Sequence, residues 1–403
     1  MASANEPLWV GKDGRMDLAT FERLLTPQGQ ALLAEAAARV AAEGELAVGT
    51  RLRSTHDGPL VAAALTQVQL RVLARGKFGS DAAAMYFTSD ALQQATRASV
   101  GRARAARMAA TGALSSVLDL GCGIGGDLVA MARAGLAVRG IDLDAVRARI
   151  AEVNLRALGL AGTVRAGDAI SADRSGADVC FVDPARRDGR GRRFDPRACT
   201  PDWDFVTALL EGSAAAKVAP GIAHALVPAG VEVEWVSDRG DLVEACLWGR
   251  PLATASRRVT LLPSGSTLTD ADAPAASVVA PVGSWLYEPD DAVGRAGLVT
   301  AVAQRVGGWL IDPHLAYVSS DRLVQTPFAR AYAVVEELPY REKQLRAALR
   351  ARGIGTLTIK RRGVEVVPED LRRRLALHGD NTATIVLTRV AGRGRTLLVE
   401  PVP

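Results

Sequence analysis

Paired cysteines, long apolar runs and the signature motifs of hydrolases are all missing from this 403-residue sequence. Its four cysteines (Cys122, Cys180, Cys199 and Cys246) are scattered, with no C-x-x-C spacing. That argues against a disulfide framework or a zinc site and predicts reduced, buried thiols in a cytosolic protein. No apolar stretch approaches the roughly twenty residues that cross a bilayer. The N-terminal Met1-Ala2-Ser3-Ala4-Asn5-Glu6-Pro7 lacks the basic-then-apolar layout of a signal peptide. A cytoplasmic protein with no membrane partner is therefore expected. There is no H-E-x-x-H, G-x-S-x-G or Walker A sequence, so metal, triad and P-loop chemistries have no support.

What is present describes an ordinary globular chain, 48% hydrophobic and 23% charged, long enough for two or three domains. The net charge of +5 is unevenly spread. From Arg341 to Pro403, 14 Lys and Arg stand against 6 Asp and Glu, a net of +8, which leaves −3 for the first 340 residues. Such asymmetry suits a polyanion-binding module beside a catalytic domain. It also suits a solvated, arginine-rich surface.

The chain is organised around Ser116-Val117-Leu118-Asp119-Leu120-Gly121-Cys122-Gly123-Ile124-Gly125-Gly126-Asp127. An apolar run ends in glycines and a helical run follows: strand, tight turn, helix. The glycines permit positive φ and let a ligand approach with no Cβ in the way. About twenty residues on, Ala137-Val138-Arg139-Gly140-Ile141 ends in Asp142, an acid placed to accept both hydroxyls of a ribose. A dinucleotide pyrophosphate would be repelled by an acid beside the turn. Asp119 suits a cationic head instead, such as the sulfonium and ammonium of S-adenosylmethionine. The stretch resembles motif I of the class I methyltransferases, and Asp142 their second motif.

Two further stations follow. Val164-Arg165-Ala166-Gly167-Asp168-Ala169 ends a short strand in an acid, where an adenine amino group is met in such enzymes. Val179-Cys180-Phe181-Val182-Asp183-Pro184-Ala185-Arg186-Arg187 carries Asp-Pro to the carboxyl edge of the sheet, where ligands of doubly wound folds lie. In methyltransferases that modify planar amines this place reads Asp/Asn/Ser-Pro-Pro-aromatic. The acid or amide and the proline carbonyl accept from the target NH2, and the aromatic stacks on the base. Here the second proline is Ala185 and the aromatic is Arg186, so Phe194 or Trp203 is the candidate stacking partner. The glycine-broken Arg186–Arg193 loop reads either as a phosphate clamp or as a solvated loop.

Residues 1–110 read as a helical domain and 111–262 as a Rossmann-like α/β core, its strands alternating with helical patterns. Within the first, Phe87, Thr88, Gln94 and Thr96 are candidate site neighbours, with Thr88 or Ser89 a candidate helix cap. Residues 263–328 read as a connecting segment, with a helical run from Asp291 to Val306 and an exposed His314. Residues 329–403 read as a compact α+β unit in which Lys360, Arg361 and Arg362 and the Arg372-Arg373-Arg374 run carry the charge.

Taken together, the chain resembles bacterial class I methyltransferases with a C-terminal THUMP-like domain. The features that carry this are Leu118-Asp119-Leu120-Gly121-Cys122-Gly123-Ile124-Gly125-Gly126, Asp183-Pro184-Ala185-Arg186-Arg187 and Ile359-Lys360-Arg361-Arg362-Gly363. The core is also similar, more weakly, to RNA-cap trimethylguanosine synthases, which have Ser-Pro-Pro-Trp in place of Asp183-Pro184-Ala185-Arg186. The resemblance implies a Rossmann-like fold, S-adenosylmethionine as cofactor, no metal, and an RNA substrate, tRNA or rRNA, methylated on a base nitrogen. Carried over residue by residue, Asp119, Gly121, Cys122, Gly123 and Gly125 hold the methionine end. Asp142 with Leu143 holds the ribose, Asp168 with Ala169 the adenine, and Thr88 lies close by. Asp183 and Pro184 orient the acceptor, and Arg186, Arg187, Lys360, Arg361 and Arg362 meet RNA. Two alternatives stay open: a methyltransferase for a small molecule or protein, and an RNA-binding protein without catalysis.

Overall fold

The computed structural model describes residues 16–186 and 199–402. Its contacts divide the chain into two compact units, one running to Val218 and including Trp248–Leu252, the other comprising Ala219–Leu247 and the chain from Ala253 onward.

The first unit begins with helices α1 (Leu18–Leu25), α2 (Pro27–Glu43), α3 (Glu45–Leu52), α4 (Gly58–Phe78), α5 (Ser89–Gln94) and α6 (Ala98–Ala110). Local chemistry sets their ends. Asp17 accepts from the Thr20 amide at 2.8 Å to cap α1. Thr26 caps α2 with Pro27 in its first turn, and Gly44 stops that helix at φ +80°. Their shared core of Phe21, Leu24, Leu32, Val61, Leu65 and Phe87 runs on into Ile124, Ile150 and Val153. The helical layer is thus built onto the α/β core rather than hung from it.

That core follows as β1 (Ser116–Leu120), α7 (Gly126–Arg133), β2 (Ala137–Asp142), α8 (Ala145–Ala157), β3 (Thr163–Ala166), β4 (Val179–Val182), the two-residue pair β5 (Ala185–Arg186) and β6 (Cys199–Thr200), α9 (Trp203–Leu210) and β7 (Ala214–Val218). The larger strands lie in the order β3-β2-β1-β4-β7, all parallel. β1 and β4 are buried on both faces, which is why they read as unbroken apolar runs. Strand order reverses between β1 and β4, so their carboxyl ends open the crevice in which doubly wound folds bind ligands.

The second unit holds β8 (Glu232–Asp238), most of β9 (Asp241–Trp248), β10 (Arg257–Leu262) and β11 (Ser266–Thr269), neighbours in the order β11-β10-β8-β9. It continues with β12 (Trp285–Pro289), α10 (Asp291–Ala296), α11 (Val299–Arg305), β13 (Trp309–Leu310), β14 (Val318–Ser320), β15 (Ala329–Leu338), α12 (Glu342–Ala351), β16 (Ile354–Arg361), α13 (Pro368–Leu375), β17 (Asn381–Val390) and β18 (Arg393–Pro401). These strands form a seven-stranded sheet in the order β13-β14-β12-β15-β18-β17-β16. Leu345, Leu349, Leu371 and Leu375 of α12 and α13 pack on Leu357, Ile359, Ile385 and Leu387.

Two expectations change here. Residues 263–328, expected as a connecting segment, carry β12 to β14, and β12 runs antiparallel to β15 from Trp285↔Ala333 to Pro289↔Ala329. They belong to the same sheet as the C-terminal α+β unit, because β12 supplies the partner that one edge of β15 needs. The single helical run from Asp291 to Val306 is two helices, broken where Gly297 takes φ +68°.

Candidate active site

Gly121, Gly123 and Gly125 stand at φ +93°, +56° and +82°. Only glycine adopts such angles without strain, and the three together turn β1 into α7 within five residues. The turn is closely packed. A Cβ on Gly125 would lie 3.1 Å from that of Ala151 on α8, and one on Gly126 would lie 3.3 Å from the Phe78 ring. The amides of Gly121 and Cys122 both donate to the Ile141 carbonyl, at 2.8 and 2.9 Å.

Asp142, at the end of β2, accepts from the Gly123 amide at 2.8 Å and from the Asp144 amide at 2.9 Å. Burial pushes its carboxyl above the usual range despite those bonds. Asp168, after β3, is exposed and accepts from the Ile170 amide at 2.9 Å. Ala169 is half-buried. Close in sequence to the two acids, Leu143 and Ile170 are 73% and 49% exposed. They follow the paired strands β2 and β3, one residue and four residues past the strand ends.

Asp119 is different in kind. It is 1% exposed, and its Oδ1 has no hydrogen-bond partner among the described residues. Burial first, then the charges of Asp127 and Asp183, push its carboxyl well above the normal range. The buried Arg104, ion-paired with Asp127 and stacked 4.6 Å over the Phe181 ring, opposes that shift. A buried carboxylate oxygen left bare is costly unless something cationic completes it.

Asp183 follows β4 directly. Its carbonyl oxygen lies 3.5 Å from where a Gly121 Cβ would be, so the Asp-Pro step abuts the glycine turn. Asp183 and Pro184 are both half-buried. The Asp183 Oδ2 accepts from Lys217 Nζ at 2.7 Å. β4 and β7 pair Val182 with Ala216, which brings the next residue of each strand side by side.

Upstream, the extended strip Tyr86-Phe87 has no strand to pair with, and buried side-chain amides satisfy its backbone instead. Gln67 exchanges two bonds with Phe87, at 2.7 and 3.0 Å. Asn154 exchanges two with Tyr86, at 2.7 and 3.0 Å, and donates a third to the Ile124 carbonyl at 2.9 Å. Asn154 thereby ties the strip to the glycine turn. Thr88 comes next, capping α5 by accepting from the Ala91 amide and donating to Asp90. Thr96 is buried, with its Oγ1 unbonded among the described residues.

The structure brings Asp119, the Gly121–Gly125 turn with buried Cys122, Asp142, Asp183 and Pro184 together at the carboxyl ends of β1, β2 and β4. Lys360, Arg361 and Arg362 stand in the second unit, and two of them are engaged. Lys360 pairs with Glu288 at 2.5 Å and lies 5.4 Å over the Tyr332 ring. Arg362 pairs with Asp291 at 3.1 Å. Arg361 is exposed and, among the described residues, reaches the Val364 carbonyl at 3.5 Å. Arg187 and Phe194 lie outside the described residues, as does the side chain of Arg186; Trp203 opens α9. His314 is exposed in a turn where its amide donates to Asp312. Sequence reasoning missed Lys217, Asn154, Gln67, Arg104 and Ile170. A lone lysine near the end of the apolar strand Ala214–Val218 was the available signal for the first.

Five parallel strands in this order, a three-glycine turn after the first, and acids at the ends of the first, second and fourth define a class I methyltransferase. The chain belongs to a family of S-adenosylmethionine-dependent methyltransferases. It is 39% identical over 332 residues to two Mycobacterium tuberculosis proteins, from strains CDC 1551 and H37Rv, each named as an uncharacterized S-adenosylmethionine-dependent methyltransferase. The match covers 80% of this chain and 90% of theirs. A crystal structure from Porphyromonas gingivalis W83, of a protein whose name marks it provisionally as a methyltransferase, superposes with a TM-score of 0.76 at 22% identity. It covers 92% of this chain and 96% of that one, so the shared fold extends over both units. Residues 329–401 match the THUMP domain-like family, and residues 17–74 match a domain of unknown function.

Proposed function

We propose that this enzyme transfers a methyl group from S-adenosylmethionine to a base nitrogen of tRNA or rRNA. The observation that carries the reading is the Asp183-Pro184 step at the end of β4, set against the glycine turn. The THUMP domain-like match over residues 329–401 supports an RNA substrate.

The cofactor fits the residues present. The bare, buried Asp119 Oδ1 is the complement of a cationic head, and the Gly121–Gly125 turn leaves room for close approach. Asp142 holds the ribose, with Leu143 beside it, and Asp168 with Ala169 and Ile170 holds the adenine. Thr88 closes the site from the strip that Gln67 and Asn154 fix. The bound cofactor supplies a methyl group made electrophilic by its sulfonium. The protein's work is alignment: an in-line displacement at carbon needs the acceptor lone pair on axis and little acid–base assistance. Asp183 and the Pro184 carbonyl accept the two N–H bonds of a planar amine and so turn its lone pair toward the methyl carbon. As the nitrogen becomes cationic, the Asp183 carboxylate stabilises it. The surplus N–H proton then passes to water. Arg186 and Arg187, with exposed Arg361, contact RNA phosphates, so binding weakens with salt. A base inside a paired region is flipped out to reach Asp183.

The test is tritiated methyl transfer to total RNA from cells lacking the protein. Labelled tRNA or rRNA, lost at least 100-fold in Asp183→Ala with cofactor binding retained, is the expected result. Unchanged turnover in that variant would remove Asp183 from the mechanism. One observation favours a second reading, a small-molecule or protein acceptor. The second unit carries 21 Lys and Arg against 20 Asp and Glu, so the module bearing the THUMP-like domain is nearly neutral. Cofactor binding without RNA labelling would select that reading.

A further inference from the structure

Asp183 is held by a lysine that the reading above does not use. Lys217 Nζ donates to Asp183 Oδ2 at 2.7 Å, and its side chain is only 16% exposed. The same ammonium lies 3.5 Å from the Gln94 carbonyl. A second ammonium works alongside it. Lys77 Nζ donates to the carbonyls of Leu92, Gln93 and Ala95 at 2.8, 2.7 and 2.9 Å. Four successive carbonyls at the C-terminal end of α5 therefore face two lysines, one of which holds the Asp-Pro aspartate. The negative end of a helix is where ammonium groups are best accommodated, and here they anchor the segment leading into α6. Lys77 serves that anchoring alone. Lys217 reaches further, to the acid itself.

A carboxylate offers two oxygens with about four acceptor directions and is free to rotate. A charge-assisted bond to one oxygen fixes its plane and leaves the other to accept from elsewhere. We infer that Lys217 is a positioning residue: it locks the Asp183 carboxylate through Oδ2 so that Oδ1 faces the acceptor amine, and it balances the Asp183 charge beside the cationic cofactor. The inference rests on the assignment of Asp183 as the group that orients the acceptor. It also narrows the substrate class. With one oxygen engaged, the carboxylate and the Pro184 carbonyl present two acceptors to the two N–H bonds of an NH2 group. An anionic oxygen acceptor has no place between them.

Two readouts test this. In tritiated transfer to total RNA from cells lacking the protein, Lys217→Met is expected to lower kcat about 100-fold without raising the KM for cofactor, and Lys217→Arg to recover most of the loss. In an Asp183→Asn background the Lys217→Met change should cost less than threefold more, since its target has gone. The second readout needs no acceptor. By calorimetry, Lys217→Met should shift the affinity ratio of S-adenosylmethionine over neutral S-adenosylhomocysteine about fivefold toward the cation. Asp183→Asn should shift it the other way, and the double variant should return near the parent ratio. Losses that multiply in the double variant, or an unmoved affinity ratio in Lys217→Met, overturn the role of Lys217. Transfer unaffected by Asp183→Asn overturns instead the assignment on which it rests. If RNA takes no label at all, the RNA substrate is wrong and the affinity ratio alone decides for or against Lys217.

Discussion

Asp119 and Glu288 are both acids set among apolar strands, and the chain treats them in opposite ways. Glu288 in the second unit accepts from Lys360 at 2.5 Å and from the Tyr332 hydroxyl at 3.0 Å. Around it the same holds at larger scale: Arg352 pairs with Glu336, Arg374 with Glu342, Arg395 with Glu337 and Arg362 with Asp291. At Asp119 the fold buries a carboxylate, sets it among the further acids Asp127, Asp142 and Asp183 with Arg104 opposing them, and leaves one oxygen without a partner among the described residues. Charge that is internally matched builds scaffold. A buried acid with an oxygen left over is where the proposed cofactor would complete the structure.

Breaking Asp119 should produce the largest effect. Asp119→Asn is expected to weaken S-adenosylmethionine binding at least 100-fold, about 2.7 kcal/mol, by calorimetry. Without cofactor the same variant should be more stable at neutral pH by about 1–3 kcal/mol, because it removes an unsatisfied buried charge. The pH dependence has a definite sign. The folded carboxyl titrates above its unfolded counterpart, so in that window the folded state holds the extra proton and stability falls as pH rises. Urea midpoints of the cofactor-free proteins across that range should show the fall in the parent and its loss in the variant.

Asn154→Ala comes next. It leaves the backbone of Tyr86 and the Ile124 carbonyl without partners in a buried place, for a loss of about 2 kcal/mol in urea unfolding. A loss below 1 kcal/mol would mean that water replaces the amide. On the matched side, Lys360→Met should cost about 1–2 kcal/mol, since Glu288 keeps only its tyrosine partner and both groups retain some solvent. The smallest stability effect belongs to Arg361→Ala, within about 0.5 kcal/mol. If RNA docks on that face, the variant lowers the slope of log K against log salt by about 1. An unchanged slope would assign phosphate contact to other residues and sharpen the division between scaffold and site.

Much of the catalytic core was readable because its signals are local. A glycine needed for positive φ, an apolar run buried on both faces and an acid at its end all lie within a dozen residues, as Leu118 to Gly125 illustrate. What could not be read depends on partners far apart in the chain. Lys360 counts as a free cation in any window that starts at Arg341, yet its partner Glu288 is 72 residues upstream. Residues 285–289 looked like part of a connection because a five-residue strand declares itself only through its neighbour, and that neighbour begins 40 residues later. Lys217 was hidden differently: nothing in Ala214–Val218 tells which strand lies beside it. Asn154 was hidden by its element, since an asparagine in a helix usually faces solvent, and here it substitutes for a β-strand.

Cys122 sits inside the glycine turn, buried, with its thiol pushed well above its usual range first by burial and then by Asp119 and Asp142. The thiolate is the form that attacks an alkylating reagent, so a closed turn is inert. Modification of Cys122 has to wait for the turn to open, and its rate in excess reagent counts openings directly. The enzyme therefore carries its own clock for the breathing of the glycine turn, and if that turn holds S-adenosylmethionine as proposed, the cofactor should slow it in proportion to occupancy.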